Sequence, residues 1–165
     1  MSPFWVETGN QIRLAIVPRP RGGDWLDDEI ARLKKDGVDI LISMLPSVEA
    51  DELGLATEAK ACEAVGIIFK SFPIVDRETP ASITAFIAFI EGLQADLHVG
   101  RSVAVHCRAS IGRSSLLLAS LLCAEGFKPD DAFARLTKAR GLQVPDTHDQ
   151  IRWVERFAAA LSSKH

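Results

Sequence analysis

The residues with the clearest chemical potential lie in one short stretch, His106-Cys107-Arg108-Ala109-Ser110-Ile111-Gly112-Arg113-Ser114. The stretch follows the apolar run 103–105 and precedes an apolar segment that starts at Leu116, which predicts a five-residue loop between a strand and a helix. Such a loop turns successive backbone N–H groups inward, and the N-terminus of the following helix adds positive potential. The residues expected to bind an anion of phosphate size are Arg108, Ala109, Ser110, Ile111 and Gly112.

Side chains at the two ends of this loop add to that chemistry. Arg113 can offer a bidentate fork to two phosphoryl oxygens, a geometry that lysine cannot provide, and Gly112 allows a close approach. Cys107 lies at the mouth of the loop, where inward N–H groups and Arg113 favour the nucleophilic thiolate. His106 precedes it on a strand and points to the opposite face, so we interpret it as a residue that orients the loop. The alternative is a Cys107 that packs as a small hydrophobic residue.

Cleavage of a phosphate monoester requires a proton for the leaving oxygen, so a carboxylic acid should face Cys107 from a mobile loop. Asp76 follows the strand-like run 67–72 and is predicted to lie on the same rim of the sheet. We predict that Asp76 is the general acid and later the base that activates water. Glu78 is the fallback acid, and a turn-forming role for Asp76 is also open.

Hydrophobic periodicity predicts the elements that position these residues. The runs 4–7 and 11–17 indicate a hairpin, the runs 38–44, 67–72 and 103–105 indicate buried strands, and helical patterns cover about 113–125, 129–140 and 147 onward. Asp24 should cap the first helix, with Trp25, Ile30 and Leu33 inward. The segment 72–80 carries Asp76 and is called the acid loop here, and Thr79 should cap the helix that follows it. We therefore predict an α/β fold, with a central mostly parallel sheet of four to five strands, an N-terminal hairpin and flanking helices.

Composition limits the classes of function. The 165 residues are 47% apolar, which favours a single domain over residues 1–165. Nineteen Lys and Arg against 22 Asp and Glu give a net charge of -3, so neither a nucleic-acid partner nor a membrane partner is expected. The spacing of the three cysteines suits neither a disulfide framework nor a zinc site, which predicts reduced thiols, a cytoplasmic location and no metal or cofactor. We also find no pattern of a secretion signal or a membrane span.

The stretch 106–114 resembles the His-Cys-x5-Arg-Ser/Thr signature of the cysteine-dependent protein-tyrosine and dual-specificity phosphatase superfamily. Together with the hairpin, Pro-Arg-Gly-Gly-Asp-Trp-Leu at 20–26 and Phe-Pro-Ile-Val-Asp at 72–76, it makes most of residues 12–157 similar to compact bacterial members. The resemblance implies hydrolysis of phosphotyrosine in proteins, or of a small phosphomonoester, through a cysteinyl-phosphate intermediate, with phosphoserine and phosphothreonine as further candidates. The alternatives are a non-catalytic phospho-residue binding module and an arsenate reductase or sulfurtransferase that uses the same loop.

The resemblance also implies roles for residues around the signature. The hydroxyl that corresponds to Ser114 hydrogen-bonds the cysteine sulfur in the family, although Ser114 could instead cap a helix. Ser110 stands where the family usually has glycine, so a positive φ there would strain the loop. The segment 140–150 resembles a water-positioning loop. When it is anchored on Thr147 and Gln150, the water-positioning residue falls on Asp146, which could instead cap the last helix.

Basic residues near the loop bear on the substrate. Arg19 and Arg21 are either solvated charges or, in the case of Arg21, part of one wall of the substrate cleft. Arg108 is the only basic residue among the five loop positions, whereas phosphoinositide-specific relatives carry more than one lysine there. A phosphorylated protein or small phosphomonoester is therefore the expected partner. Cys62 and Cys123 fall on apolar helical patterns and are expected to pack.

Overall fold

The computed structural model describes residues 2–163, and they alternate between short strands and helices. The strands are β1 (Phe4–Trp5), β2 (Leu14–Ile16), β3 (Ile40–Ser43), β4 (Ile68–Ser71) and β5 (Val103–His106). The helices are α1 (Leu26–Lys35), α2 (Ser47–Glu52), α3 (Glu58–Val65), α4 (Ile83–His98), α5 (Gly112–Ala124), α6 (Pro129–Arg140) and α7 (His148–Ser162).

The five strands form one sheet in the order β1-β2-β5-β3-β4, in which only β1 is antiparallel to its neighbour. Strand β5 is central, since Val103 pairs with Leu14 of β2 on one side and with Ile40 of β3 on the other. All residues of β2, β3 and β5 are buried, as expected for a parallel sheet covered on both faces. The predicted mostly parallel sheet with an N-terminal hairpin is confirmed.

Helix α5 occupies the centre of the helical layer. Its residues from Gly112 to Leu122 are all buried, and α6 and α7 pack against it. From residue 116 to 122 this burial agrees with a sequence that is apolar except for Ser120. An aromatic cluster joins the acid loop to α4 and α7 and consists of Phe72, Phe86, Phe89, Trp153 and Phe157. Within residues 2–163, none of the helices is both long enough and apolar enough to cross a bilayer.

Some sequence predictions about helix ends are wrong. Asp24 lies inside a 3₁₀ turn, Gly23–Trp25, that precedes α1 and makes no side-chain cap. Trp25 is 57% exposed, with the Arg21 guanidinium 4.3 Å from its ring, so the prediction that it points inward is wrong, whereas Ile30 and Leu33 are buried as predicted. Thr79 is not a cap either.

The helix after the acid loop begins three residues beyond Pro80, and Ser82 caps it by accepting a hydrogen bond from the Ala85 amide. At the start of α7 the cap is Thr147 rather than Asp146. Thr147 and Gln150 form a reciprocal capping box, in which each side chain accepts a hydrogen bond from the backbone amide of the other. Asp146 therefore lies one residue before the N-cap.

Candidate active site

Cys107 directly follows β5, and α5 begins five residues later at Gly112. The loop between them therefore lies at the carboxyl end of the central strand, with the N-terminus of a 13-residue helix behind it. This is the arrangement in which a helix dipole and loop amides favour an anion. Cys107 is only 2% exposed.

His106 points away from the loop opening, into a buried contact with a carboxylate. Its Nε2 lies 2.5 Å from Oε2 of Glu58, the first residue of α3, and both side chains are buried. The first turn of a helix favours a negative charge, so α3 supports Glu58 in this position. The other ring nitrogen lies 3.3 Å from the carbonyl oxygen of Cys107. These contacts are those of a residue that orients the backbone of the nucleophile.

Arg113 is 1% exposed, and both of its terminal nitrogens have acceptors. Its Nη1 donates to Glu49 Oε1 at 2.8 Å, and its Nη2 donates to Glu49 Oε2 at 2.9 Å. Nη1 also donates to the carbonyl oxygen of Ile74 at 2.8 Å, in the loop that carries the predicted acid. The guanidinium is therefore fixed in one orientation by α2 and by the acid loop.

The electrostatics of the pair match its geometry. The hydrogen bond from Arg113 lowers the pKa of Glu49, against a smaller opposing effect of burial, with further help from the charges of Arg113, Arg108 and Arg19. Burial acts to lower the pKa of Arg113, but the Glu49 hydrogen bond and the negative charges of Cys107, Glu49 and Asp76 together raise it. Both groups are therefore held in their charged forms.

Asp76 contacts the same guanidinium. Its Oδ1 lies 3.1 Å from Arg113 Nη2, and its side chain is 52% exposed. The adjacent Arg77 has a positive φ of 65°, which turns the chain sharply between Asp76 and Glu78. Glu78 contacts the site through its backbone instead, since its carbonyl oxygen accepts a 3.4 Å hydrogen bond from Gln150 Nε2.

Ser110 adopts a positive φ of 56°, the conformation that the family's glycine would adopt without strain. Its fully buried hydroxyl donates to the carbonyl oxygen of Val17 at 2.6 Å, which offsets part of that strain. The substitution therefore exchanges a flexible position for one tied to the chain after β2.

Gly112 is needed for a close approach rather than for its φ. A Cβ at this position would lie 2.9 Å from Nε2 and 3.0 Å from Oε1 of Gln150 and even closer to a carboxylate oxygen of Asp146. Residues 108–112 are called the phosphate loop here. Asp146 and Gln150, the two residues predicted from the water-positioning segment, lie against Gly112 at the end of this loop. Gln150 is fully buried, and its Oε1 accepts from the amides of Asp146 and Thr147.

Ser114 lies in the first turn of α5, two residues after the helix begins, and the N-cap position belongs to Ile111. The helix-capping alternative for Ser114 is therefore wrong. Its Oγ is buried and has no hydrogen-bond partner within residues 2–163. A buried hydroxyl without a partner retains its full capacity to donate, so it is free to serve a sulfur or phosphoryl oxygen.

Two further arginines of the sequence prediction have carboxylate partners. The Nε of Arg108 donates to Glu49 Oε2 at 3.1 Å, so its side chain turns toward α2 while its backbone stays in the loop. Arg21 pairs with Glu29 of α1 and stacks on Trp25. These contacts direct the Arg21 side chain toward α1.

Sequence reasoning missed Glu49 and Glu58, which hold Arg113 and His106. Neither belongs to a local motif, because they lie 64 and 48 residues before their partners. The available signal was their position as acidic residues in the first turns of α2 and α3.

Comparisons with known proteins agree with this geometry. A family model described as "Polymorphic toxin system, DSP-PTPase phosphatase" (Tc-R-P) matches residues 17–127. Human cyclin-dependent kinase inhibitor 3 is 33% identical over 105 residues, which are 60% of this chain and 49% of that protein. The putative tyrosine phosphatase 197R of invertebrate iridescent virus 6 is 32% identical over 88 residues, 51% of this chain and 32% of that protein. The matches thus span about half of the human relative and a third of the viral one.

The fold is also that of solved phosphatase structures. A crystal structure of kinase associated phosphatase, with its catalytic-site cysteine replaced by serine, superposes with a TM-score of 0.86 at 20% identity. The superposition covers 99% of this chain and 97% of that chain. The chain belongs to the DSP-PTPase phosphatase family, within the dual-specificity and protein-tyrosine phosphatase superfamily.

Proposed function

We propose that this protein hydrolyses phosphotyrosine, and also phosphoserine or phosphothreonine, in proteins through a cysteinyl-phosphate intermediate. One observation carries the proposal: the carboxylate of Asp76 lies 3.1 Å from the guanidinium of Arg113. The contact brings a candidate acid from the loop after β4 to the loop that begins at Cys107, after β5. A nucleophile, an anion-binding cation and an acid therefore meet at one edge of the sheet.

In the first step, the Cys107 thiolate attacks phosphorus in line with the leaving oxygen. The S–P bond forms as the P–O bond to the substrate breaks. Asp76, which releases Arg113 and enters this step protonated, gives its proton to the departing oxygen. Arg113 and the loop amides stabilise the charge on the three equatorial oxygens. Since Glu49 and Ile74 already hold Arg113, its orientation need not be established during the reaction.

In the second step, a water attacks phosphorus and gives its proton to the Asp76 carboxylate, and the S–P bond breaks to release phosphate and the thiolate. The unpartnered Ser114 hydroxyl supports a role as donor to the departing sulfur. The position of Asp146 and Gln150 against Gly112 supports a role for them in orienting the water.

The contacts of Arg108 bear on the substrate class. Its side chain is the only basic one among the five loop positions, and Glu49 engages it at 3.1 Å. This supports a substrate with a single phosphoryl group, in a protein or a small phosphomonoester. The contacts of α6 and α7 with the loop support our proposal that residues 1–165 form one phosphatase domain. We also propose a cytoplasmic location, which the three free thiols of Cys62, Cys107 and Cys123 support.

The test is hydrolysis of an aryl phosphate and of phosphotyrosine and phosphothreonine peptides, with orthovanadate as inhibitor. We expect Cys107→Ser to abolish turnover, and Asp76→Asn to lower kcat by roughly 10²-fold or more on peptides with poor leaving groups. Glu78→Gln is the matched carboxylate control and should retain turnover. Wild-type protein that binds phosphopeptide without cleaving it would identify a binding module. Arsenate reduction or sulfur transfer without phosphatase activity would support the remaining alternatives.

A further inference from the structure

Two arginines from separate elements contact the outer face of the phosphate loop. Arg140, the last residue of α6, donates from Nε to the carbonyl oxygen of Ser110 at 3.1 Å and from Nη2 to that of Ala109 at 3.3 Å. Arg19, in the segment after β2, donates from Nη1 to the carbonyl oxygen of Arg108 at 3.2 Å. Three consecutive loop carbonyls therefore have a guanidinium partner.

The planarity of the peptide bond gives these contacts a consequence for the other side of the loop. In a trans peptide, the carbonyl oxygen of one residue and the N–H of the next point in opposite directions. The two guanidinium groups hold the carbonyl oxygens of residues 108, 109 and 110 on the outer face of the loop. The N–H groups of residues 109, 110 and 111 therefore point to the inner side of the loop, where a phosphoryl group would bind. The positive charge lies at the oxygen end of each dipole, so it also favours this orientation electrostatically.

Arg140 is itself held in place. Its guanidinium stacks on the Phe4 ring at 4.8 Å, and the side chain is half-buried between the hairpin and the loop. It stands at the C-terminal end of α6, where a helix favours a cation. The hydroxyl of Ser110, whose carbonyl Arg140 binds, is tied to Val17, so this residue is fixed through both its side chain and its backbone.

We propose that Arg140, assisted by Arg19, is a positioning residue of the phosphate loop: it fixes the loop's peptide groups so that their amides form a ready anion site. The inference rests on the proposed function, because the anion is the phosphoryl group of the substrate. Arg140 acts through the loop and does not touch the reacting atoms. Preorganised dipoles of this kind need no reorientation when charge develops in the transition state.

The chain contains a matched control for Arg140 on the same helix. Arg135 also stacks on a phenylalanine, Phe127, at 4.9 Å, and its Nη1 also donates to a backbone carbonyl oxygen, that of Glu7, at 2.7 Å. The control differs in its target, since Glu7 belongs to the hairpin and not to the loop. Arg135→Met and Arg140→Met both remove a cation on a phenylalanine ring and a hydrogen bond to a backbone carbonyl, and Arg135→Met also removes an ion pair with Asp131.

Two readouts that do not depend on turnover test the proposal: calorimetric binding of orthovanadate, and the pH midpoint of iodoacetate alkylation at Cys107. We expect Arg140→Met to weaken orthovanadate binding by about tenfold, as for the loss of a hydrogen bond to a charged group, and to move the alkylation midpoint to higher pH. Arg135→Met should leave both unchanged. Arg140→Lys, which keeps the charge without the fork, should recover only part of the affinity.

Arg19→Met is a second variant, which tests the proposal even if Arg140→Met fails to fold. Arg19 is exposed, so its removal leaves the core intact. It should weaken orthovanadate binding in the same direction by a smaller factor. Unchanged binding and alkylation in both Arg140→Met and Arg19→Met would overturn the proposal, as would Arg140→Lys that matches wild type. The proposed function fails separately, if wild-type protein neither binds orthovanadate nor hydrolyses an aryl phosphate.

Discussion

Replacing Glu49 with glutamine tests whether α2 holds the guanidinium of Arg113, which we propose binds the phosphoryl group. The change removes the carboxylate that accepts two hydrogen bonds, at 2.8 and 2.9 Å, from a guanidinium that is 1% exposed. Hydrogen bonds to charged groups contribute about 1.5–3 kcal/mol each, and the glutamine carbonyl can keep one of them at reduced strength. We therefore expect a loss of about 2–4 kcal/mol, below the upper range for a broken buried pair.

The assay is urea unfolding, combined with kcat/KM on an aryl phosphate. For a chain of this length, the expected loss corresponds to a Tm lower by roughly 5–12 °C. Activity should fall by about tenfold to a hundredfold, because Arg113 can then turn away from the position that serves the equatorial oxygens. The control is Glu52→Gln on the same helix, where the carboxylate is 62% exposed and 3.7 Å from Arg108. Such a surface pair contributes about 0–1 kcal/mol.

Acid pH gives the same contact an independent signature. The hydrogen bond from Arg113 lowers the pKa of Glu49 in the folded protein, so the pair stabilises the fold above the ordinary carboxyl pKa of about 4.5. That stabilisation is lost as the pH falls through the lowered folded pKa. The difference between wild type and Glu49→Gln should therefore be constant near neutrality and shrink below about pH 4.5. Equal stabilities of wild type, Glu49→Gln and Glu52→Gln at pH 7 would refute the reasoning.

Three further predictions concern the loop and the thiols. Ser110→Ala should lower urea stability by about 1–2 kcal/mol, whereas Ser110→Gly should be closer to neutral because it also relieves the positive φ. Gly112→Ala should raise the activation free energy for an aryl phosphate by more than it lowers the free energy of unfolding. Equal changes in these two free energies would contradict this. Iodoacetamide at pH 8 should modify Cys107 first by mass spectrometry, because burial raises the pKa of Cys62 to about 12 and of Cys123 to about 11. An adduct that forms on Cys62 or Cys123 before Cys107 would show that reasoning to be wrong.

The parts of the molecule that could be predicted from sequence are those with a local pattern. Two apolar runs with a glycine between them predict the strand-loop-helix unit around Cys107 and Arg113. The sheet follows from the alternation of strand and helix patterns, and Asp76 follows from its place after a strand. All of these are statements about residues close together along the chain.

The supports of the site could not be predicted in this way. Glu49, Glu58 and Arg140 contact the loop and its flanks across 64, 48 and 30 residues, and a single sequence contains no signal for such pairings. The helix caps failed for a different reason. Asp24, Thr79 and Asp146 are all good capping residues by type, but in each case the helix starts two to four residues later, where the tertiary fold places its first turn.

The position of Arg140 and Gln150 after the loop in the sequence has a consequence for biosynthesis. When the chain up to residue 127 has emerged from the ribosome, the nascent protein already carries Cys107, Arg113 and Asp76. It lacks the guanidinium on the loop carbonyls and the glutamine packed against Gly112. We therefore expect the thiol to gain its reactivity late in translation, after α6 and the first turn of α7 have left the exit tunnel.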